Sequence, residues 1–340
     1  MNEEKKHELK KLGILALKMA VGSSAAIYIA TLWNLQFAAS AGIIALLSLM
    51  TTKWGTVKLS IYRVITFLLS VLLSWISFQH ITSNWLAYGS FILILVVISY
   101  LAGWKATISV NAVIGTHFLM VHDFSLSFIR NEFLLVFIGI SIALLLNLFQ
   151  NNNSAKQKII NNMRDTETQL QTILEELALY LSNQPMKRNV WDDLTKLEEK
   201  LFIFTGEAYE YQDNTFHSHP SYYIHYFEMR TMQCSVLHSL HDEMQKIRTL
   251  PDRASIIADY IRYLGGFVYE LNDPKEQIQR LEELFEGMRS EEMPKTYEEF
   301  ESQAKLYHVL MDLEEFLMYK RRFVESIDDR QRSIYWDVPK

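Results

Sequence analysis

The sequence predicts an all-α chain made of two unlike halves: a polytopic six-helix transmembrane domain over residues 1–150, then a cytosolic helical bundle over 151–340. Three observations predict it. Val64 to Trp104 runs 41 residues without a formal charge, and a bilayer crossing needs about 20 apolar residues of helix. Met19–Thr52 and Phe133–Ala155 are also uncharged, whereas beyond Ala155 no such run exceeds 14 residues. The charge balance changes at the same place. Residues 1–150 carry ten Lys/Arg against five Asp/Glu, and residues 151–340 carry 23 against 34.

Six apolar segments set the expected spans: 12–33, 37–50, 59–78, 85–102, 106–121 and 133–149. Asn34-Leu35-Gln36 turns the first into the second, and His80 to Asn84 form a polar turn before the fourth. The second and fifth are short for about 30 Å of hydrocarbon, so they start earlier, tilt little or are sheltered by neighbours. The fifth is the most polar, diluted by Thr107, Ser109, Asn111, Thr116 and His117. A cleaved leader is not expected, because apolar sequence continues past Gly22-Ser-Ser-Ala-Ala and five more segments follow.

Charge sets the orientation. Lys5, Lys6, Lys10 and Lys11 precede the first span, Lys53, Lys58 and Arg63 surround the second connection, Lys105 follows the fourth span, and Lys156, Lys158 and Arg164 follow the sixth; the other side holds only Arg130. Positive residues mark the cytoplasmic face, so both termini of a multi-pass cell-membrane protein are expected there. Trp33, Trp54, Trp85 and Trp104 fall near span ends, where indole prefers the interface.

The tail reads as helix throughout. Ile159, Met163, Leu170, Ile173, Leu177 and Leu181 recur at helical spacing, and Pro185 closes that segment. Further helices are expected over 189–210, 221–248 and 253–271, a fifth of about 15 residues after Pro274, and a last one after Pro294, where Leu306, Leu310, Leu313, Leu317 and Val324 form a seam. The polar run Gln150–Asn153 either continues the sixth span into the tail or hinges it. The tail's acidity reads as a solvated helical surface, and without a basic cluster nucleic acid is not an expected partner. The lone cysteine, Cys234, excludes an intramolecular disulfide and fits a reducing compartment.

Candidate site residues are the polar groups of the membrane half, because lipid offers them no partners. Thr107, Asn111, Gly115 and His122 are expected on one face of the fifth span, lining a substrate path or gluing helices together. Arg130 and Glu132 lie before the sixth span, where they gate the external mouth or form an interfacial ion pair. Asn147 completes the set near the end of the sixth span. Arg63 is either a cytoplasmic anchor or an anion-attracting charge at the inner mouth; none of the basic residues is expected deep in a span. His117 and His122 are the groups placed to titrate near neutrality if protons drive transport. Gly22, Ala26 and Ala30, and Gly139 with Ala143, have the spacing that lets helices approach within the bundle or between subunits.

In the tail, Cys234, His238 and His241 beside Asp242, with His217 and His219 nearby, have a spacing compatible with zinc, but no second Cys/His pair completes four ligands. Tyr209, Tyr211, Tyr222, Tyr223, Tyr226 and Phe227 read first as core, and as a ligand pocket second. With no phosphate loop, metal set or nucleophile constellation, neither an enzyme nor a cofactor is expected.

The chain resembles the bacterial aromatic acid exporter family, in its short Gram-positive branch with a helical cytosolic C-terminal domain. The resemblance rests on the six short spans, on Ser60-Ile-Tyr-Arg63-Val, on Arg130-Asn-Glu132 through Gly139-Ile-Ser-Ile-Ala143-Leu-Leu-Leu-Asn147, and on His219-Pro-Ser-Tyr-Tyr-Ile-His-Tyr-Phe-Glu228-Met-Arg230. It implies efflux of aromatic carboxylates driven by a proton gradient, with a homo-oligomer, dimer or higher, completing the pathway. Two functions are thus carried forward. One is a secondary exporter of small organic anions. The other is a membrane-anchored sensor or scaffold whose helical tail binds a ligand or a protein partner.

Overall fold

The computed structural model describes residues 3–49, 52–148, 152–215, 219–247, 249–251, 253–289 and 294–337. Helix is the only regular structure among them. The chain divides into two compact units, Met1–Asn151 with Asp213–Phe216, and Asn152–Gln212 with His217–Lys340.

The first unit holds α1 (Glu3–Leu32), α2 (Ala39–Leu49), α3 (Lys53–His80), α4 (Asn84–Leu101), α5 (Ile108–Val121, led in by a 3-10 turn at Lys105–Thr107) and α6 (Leu126–Leu148). Six apolar helices follow one another in the expected order. Four are long and apolar enough to cross a membrane: Leu12–Leu32, Lys53–His80, Asn84–Leu101 and Leu126–Leu148. The segments Ala39–Leu49 and Lys105–Val121 are shorter apolar helices. At 1.5 Å per residue α2 spans only about 16 Å, so a count of six full crossings is not what these lengths give. The ends expected at Met50 and Phe149, and Gln150 and Asn151 of the polar run, lie outside the described residues.

Local chemistry explains the boundaries. Left-handed backbone at Asn34 (φ 52°) and Phe37 (φ 57°) breaks α1 from α2, and Thr52 caps α3 by accepting from the Gly55 N–H. The core of this unit is built on close approach. A β-carbon on Gly139 would lie 2.6 Å from the Ile44 side chain and 2.9 Å from the Ala41 carbonyl, and one on Gly22 would meet Leu49 and Leu146. Ala26, Ala30 and Ala143 are fully buried. The small-residue faces are therefore used inside the chain, where α1, α2 and α6 pack together.

α3 is inside out by the standards of a water-soluble helix. Thr56, Ser60, Arg63, Thr66, Ser70, Ser74 and Ser77 are buried, while Ile61, Ile65, Leu68, Leu72 and Trp75 are exposed. Only a lipid surround makes that arrangement favourable. Trp33, Trp54 and Trp85 are exposed at helix ends, as interfacial indoles are.

The second unit comprises α7 (Asn153–Leu181), α8 (Val190–Asp213), α9 (Ser221–Gln245), α10 (Ala254–Gly265), α11 (Lys275–Arg289), α12 (Tyr297–Ser326) and a short α13 (Asp329–Gln331), followed by one π-turn, Arg332–Trp336. Thr296 and Glu299 form a capping box that starts α12. Every residue of the two apolar stripes on α7 and α12 is buried in one core. α9 packs along α12, and α7 along α10.

Candidate functional site

The antiparallel course of α1–α6 gives the bundle a lysine-bearing end, with Lys53, Lys58 and Lys105, and an opposite end carrying the α1–α2 and α5–α6 turns. Each end has a buried polar cluster.

At the lysine-bearing end the central group is Arg63, 1% exposed. Ten residues of α3 precede it, about 15 Å of helix, because α3 begins at Lys53 rather than 59. Arg63 Nη1 donates to the Ile44 carbonyl at 3.0 Å and to Ser48 Oγ. Its Nε and Nη2 are buried without a hydrogen-bond partner. Two turns earlier on α3, Thr56 Oγ1 accepts from Asn147 Nδ2 at 2.5 Å, and Lys18 Nζ donates to Asn147 Oδ1 at 2.5 Å.

Three of the predicted residues on the fifth span do face inward: Thr107 and Asn111 are 0% and 1% exposed, and Gly115 is buried. Asn111 Nδ2 has no hydrogen-bond partner, nor have the buried hydroxyls of Ser70, Ser74 and Ser99. These groups sit on α3, α4 and α5, which pack on one another. Gly115 does not open a passage. It seats the Phe91 ring, whose edge would be 2.3 Å from an added β-carbon. His122 departs from the expected stripe: α5 stops at Val121, and His122 takes left-handed backbone (φ 52°) as an exposed C-cap.

At the opposite end His117 and Glu132 meet. His117 Nδ1 lies 2.6 Å from Glu132 Oε2, and His117 Nε2 lies 3.0 Å from Ser40 Oγ. Glu132 is fully buried and His117 5% exposed. The Phe37 ring stacks on the imidazole at 4.1 Å. Asn131 Nδ2 donates to Glu132 Oε1 at 3.0 Å, and Asn131 also exchanges two hydrogen bonds with the Gln36 backbone. The expected pairing of Arg130 with Glu132 does not form. α6 starts at Leu126, so residues two apart are about 200° around the helix and face opposite ways. Exposed Arg130 instead lines a cleft of about 480 Å³ with Trp33, Gln36, Asp123, Ser127 and Asn131. Sequence reasoning missed Ser40 and Asn131 and the whole Ser/Thr stripe of α3. The stripe's heptad-like spacing was its signal.

In the tail the zinc-like spacing resolves into packing. Cys234 is buried with Sγ 3.6 Å from the Leu194 carbonyl, and burial pushes its thiol up to about 12. His238 packs on Trp191 and His241 pairs with Gln245. His217 lies outside the described residues. Among the described residues no group of three His, Cys, Asp or Glu is placed to hold a metal.

The chain is similar to known proteins over most of its length. Residues 10–150 match "Aromatic acid exporter family member 1", and residues 156–321 match "Putative aromatic acid exporter C-terminal domain". The "Uncharacterized protein YqjA" of Bacillus subtilis (strain 168) is 29% identical over 315 residues, 92% of this chain and 96% of that protein. A solved structure, "Crystal structure of putative membrane protein from Clostridium difficile 630", is 22% identical with a TM-score of 0.44, covering 49% of this chain and 99% of that one.

Proposed function

The chain belongs to the aromatic acid exporter family, and from that premise we propose a secondary transporter that exports small organic anions, aromatic carboxylates foremost, across the cell membrane. The observation that carries this reading is Arg63. A guanidinium held in an apolar bundle with two nitrogens unpartnered is costly unless a ligand completes it. Its planar N–H fork matches a carboxylate.

The path runs through the bundle from Arg63. Lys53, Lys58 and Lys105 attract the anion at the cytoplasmic end, with both termini on that side by the positive-inside rule. Arg63 receives the carboxylate, with Asn147 on the way in beside Thr56. Thr107, Asn111 and the α3 hydroxyls supply hydrogen bonds along the way, and Phe91 on Gly115 is the constriction that must swing aside. The cleft with Arg130 is the exit. The hydrogen-bonded pair of His117 and Glu132 closes the external end, with His122 left at the rim. One membrane half per chain makes a homo-oligomer, dimer or higher, the working unit.

The test is flux of hydroxybenzoates into inverted vesicles under an imposed pH gradient. Saturable uptake by the wild type, reduced at least a hundredfold in Arg63→Gln at equal protein level, supports the reading. Uptake equal to empty vesicles with folded wild type overturns it.

A further inference from the structure

We propose that the soluble half contains a binding site for a phenolic carboxylate, and that the chain's own Tyr335 and Trp336 occupy it in the structure. The proposal does not rest on transport by the membrane half; it follows from the chemistry around the end of α12.

The floor of the site is deeply buried. Tyr222 and Tyr223 at the start of α9 are 1% and 2% exposed, and Lys320 of α12 is 4% exposed. What covers them is the π-turn Arg332–Trp336, none of whose own residues is buried. A surface is thus shielded by a segment that is itself only half sunk. The segment is reached through extended backbone at Ile327 and Asp328, and is held by the short α13 with its Asp328–Gln331 capping box and by Gln331 Nε2 on Ser221 Oγ at 3.0 Å. π-turns of this kind recur at functional sites.

Tyr335 lies as a ligand would lie. Its ring stacks on Tyr222 at 4.2 Å and 11°, and meets Tyr223 edge-on at 5.2 Å. Its hydroxyl is 2.8 Å from His219 Nδ1. Trp336 covers Lys320, whose ammonium is 5.7 Å from the indole centroid, and its Nε1 donates to the Tyr222 hydroxyl at 3.1 Å. A phenol ring is therefore recognised at both face and hydroxyl, with a buried cation alongside.

That cation lacks a close carboxylate. Lys320 Nζ donates to the Glu270 backbone carbonyl at 2.5 Å, while the Glu270 carboxylate accepts from Tyr222. Nearby Arg230, 1% exposed, gives Nη1 to Gln233 and lies 3.6 Å from Glu167 with Nε and Nη2 lacking hydrogen bonds. Burial and the Arg230 charge hold the Lys320 amine well below its ordinary value, and burial raises the Glu270 carboxyl. A carboxylate in place of the indole would pair with Lys320, and its phenol would take the Tyr335 position on His219. The occupant is thus a hydroxybenzoate-like anion that competes with the C-terminal segment, so that binding releases residues 328–337.

The experiment uses full-length protein in nanodiscs with 4-hydroxybenzoate and benzoate as probes, read by calorimetry and by trypsin cleavage after Arg332. The Tyr335→Ala/Trp336→Ala variant is expected to bind 4-hydroxybenzoate at least tenfold more tightly than the wild type. Benzoate should bind that variant at least tenfold more weakly, because the site is built around a hydroxyl, and His219→Phe should erase the preference. In the wild type, 4-hydroxybenzoate should accelerate cleavage. The tightening in the double variant and the cleavage after Arg332 both report on the segment 328–337, which separates the site from the membrane path. Equal affinity in wild type and double variant, or no effect of His219→Phe, overturns the proposal. Should the double variant not melt cooperatively, the wild-type cleavage decides, and no acceleration overturns it.

Discussion

Each half of the molecule buries one arginine to 1% exposure, and the two differ in the charge beside them. Arg230 in the soluble half lies 3.6 Å from Glu167, bonds Gln233 and sits over the Tyr226 ring, with Lys320 held by the Glu270 backbone carbonyl. Arg63 in the membrane half touches a backbone carbonyl and a serine hydroxyl, and no carboxylate among the described residues lies in ion-pair range of it. The first arginine has a carboxylate beside it. The second has none among the described residues. Both leave Nε and Nη2 without a hydrogen bond, but only Arg230 has a carboxylate beside it, so the membrane-half residue is the one whose burial needs a functional reason.

Stability measurements test that contrast first. Arg230→Met leaves Glu167 and Gln233 buried without their partner and should cost about 3–5 kcal/mol of folding stability in the soluble half, read as a lower denaturation midpoint. Arg63→Gln strands nothing, since Ser48 Oγ already donates to the Ile44 carbonyl at 2.6 Å, and should change stability by no more than about 1 kcal/mol. Equal losses in the two variants would erase the distinction. Next in size is the close packing that distinguishes the membrane half. Gly139→Ala pushes into Ile44 and the Ala41 carbonyl and should cost about 1–3 kcal/mol, whereas Gly206→Ala on α8, with nothing within 4 Å, should be neutral or slightly stabilising because alanine is the better helix former.

The smallest predicted effect concerns pH. Asp312 of α12 is raised to about 6, by burial first and then by Glu243 and Glu315. An acid bound more tightly to its proton in the native state than in the unfolded chain weakens folding as pH rises. Its penalty is absent below about pH 4, grows to about pH 6 and persists above. Asp312 is partly exposed, so after allowance for screening Asp312→Asn should gain about 1 kcal/mol at pH 7. That gain should vanish at pH 4; a gain independent of pH would contradict the assignment.

Much of this contrast was legible in the sequence, and the missing part has a physical pattern. The apolar stripes of α7 and α12 were read correctly because bulky residues at helical spacing leave little choice of face. The α3 stripe was overlooked because Ser and Thr are nearly neutral in hydropathy, so a polar interior face disappears into an apolar run. The start of α3 was read late because Thr52 caps the helix at Lys53, six residues before the apolar pattern starts. His117 and Glu132 were both named but not as a pair, since α6 extends two turns upstream of its apolar core. The Tyr335 contact with His219 and Tyr222 joins distant parts of the chain, and no local pattern announces it.

The most direct test of the central claim is pH-gradient-driven hydroxybenzoate flux in inverted vesicles for wild type, Arg63→Gln and Arg63→Lys, with unfolding midpoints measured on the same preparations. A buried, incompletely satisfied guanidinium awaiting a carboxylate predicts flux lost at least a hundredfold in Arg63→Gln, partly kept in Arg63→Lys, and unfolding midpoints within a few degrees of one another. Undiminished flux in Arg63→Gln, or a loss of flux that tracks unfolding, would contradict it.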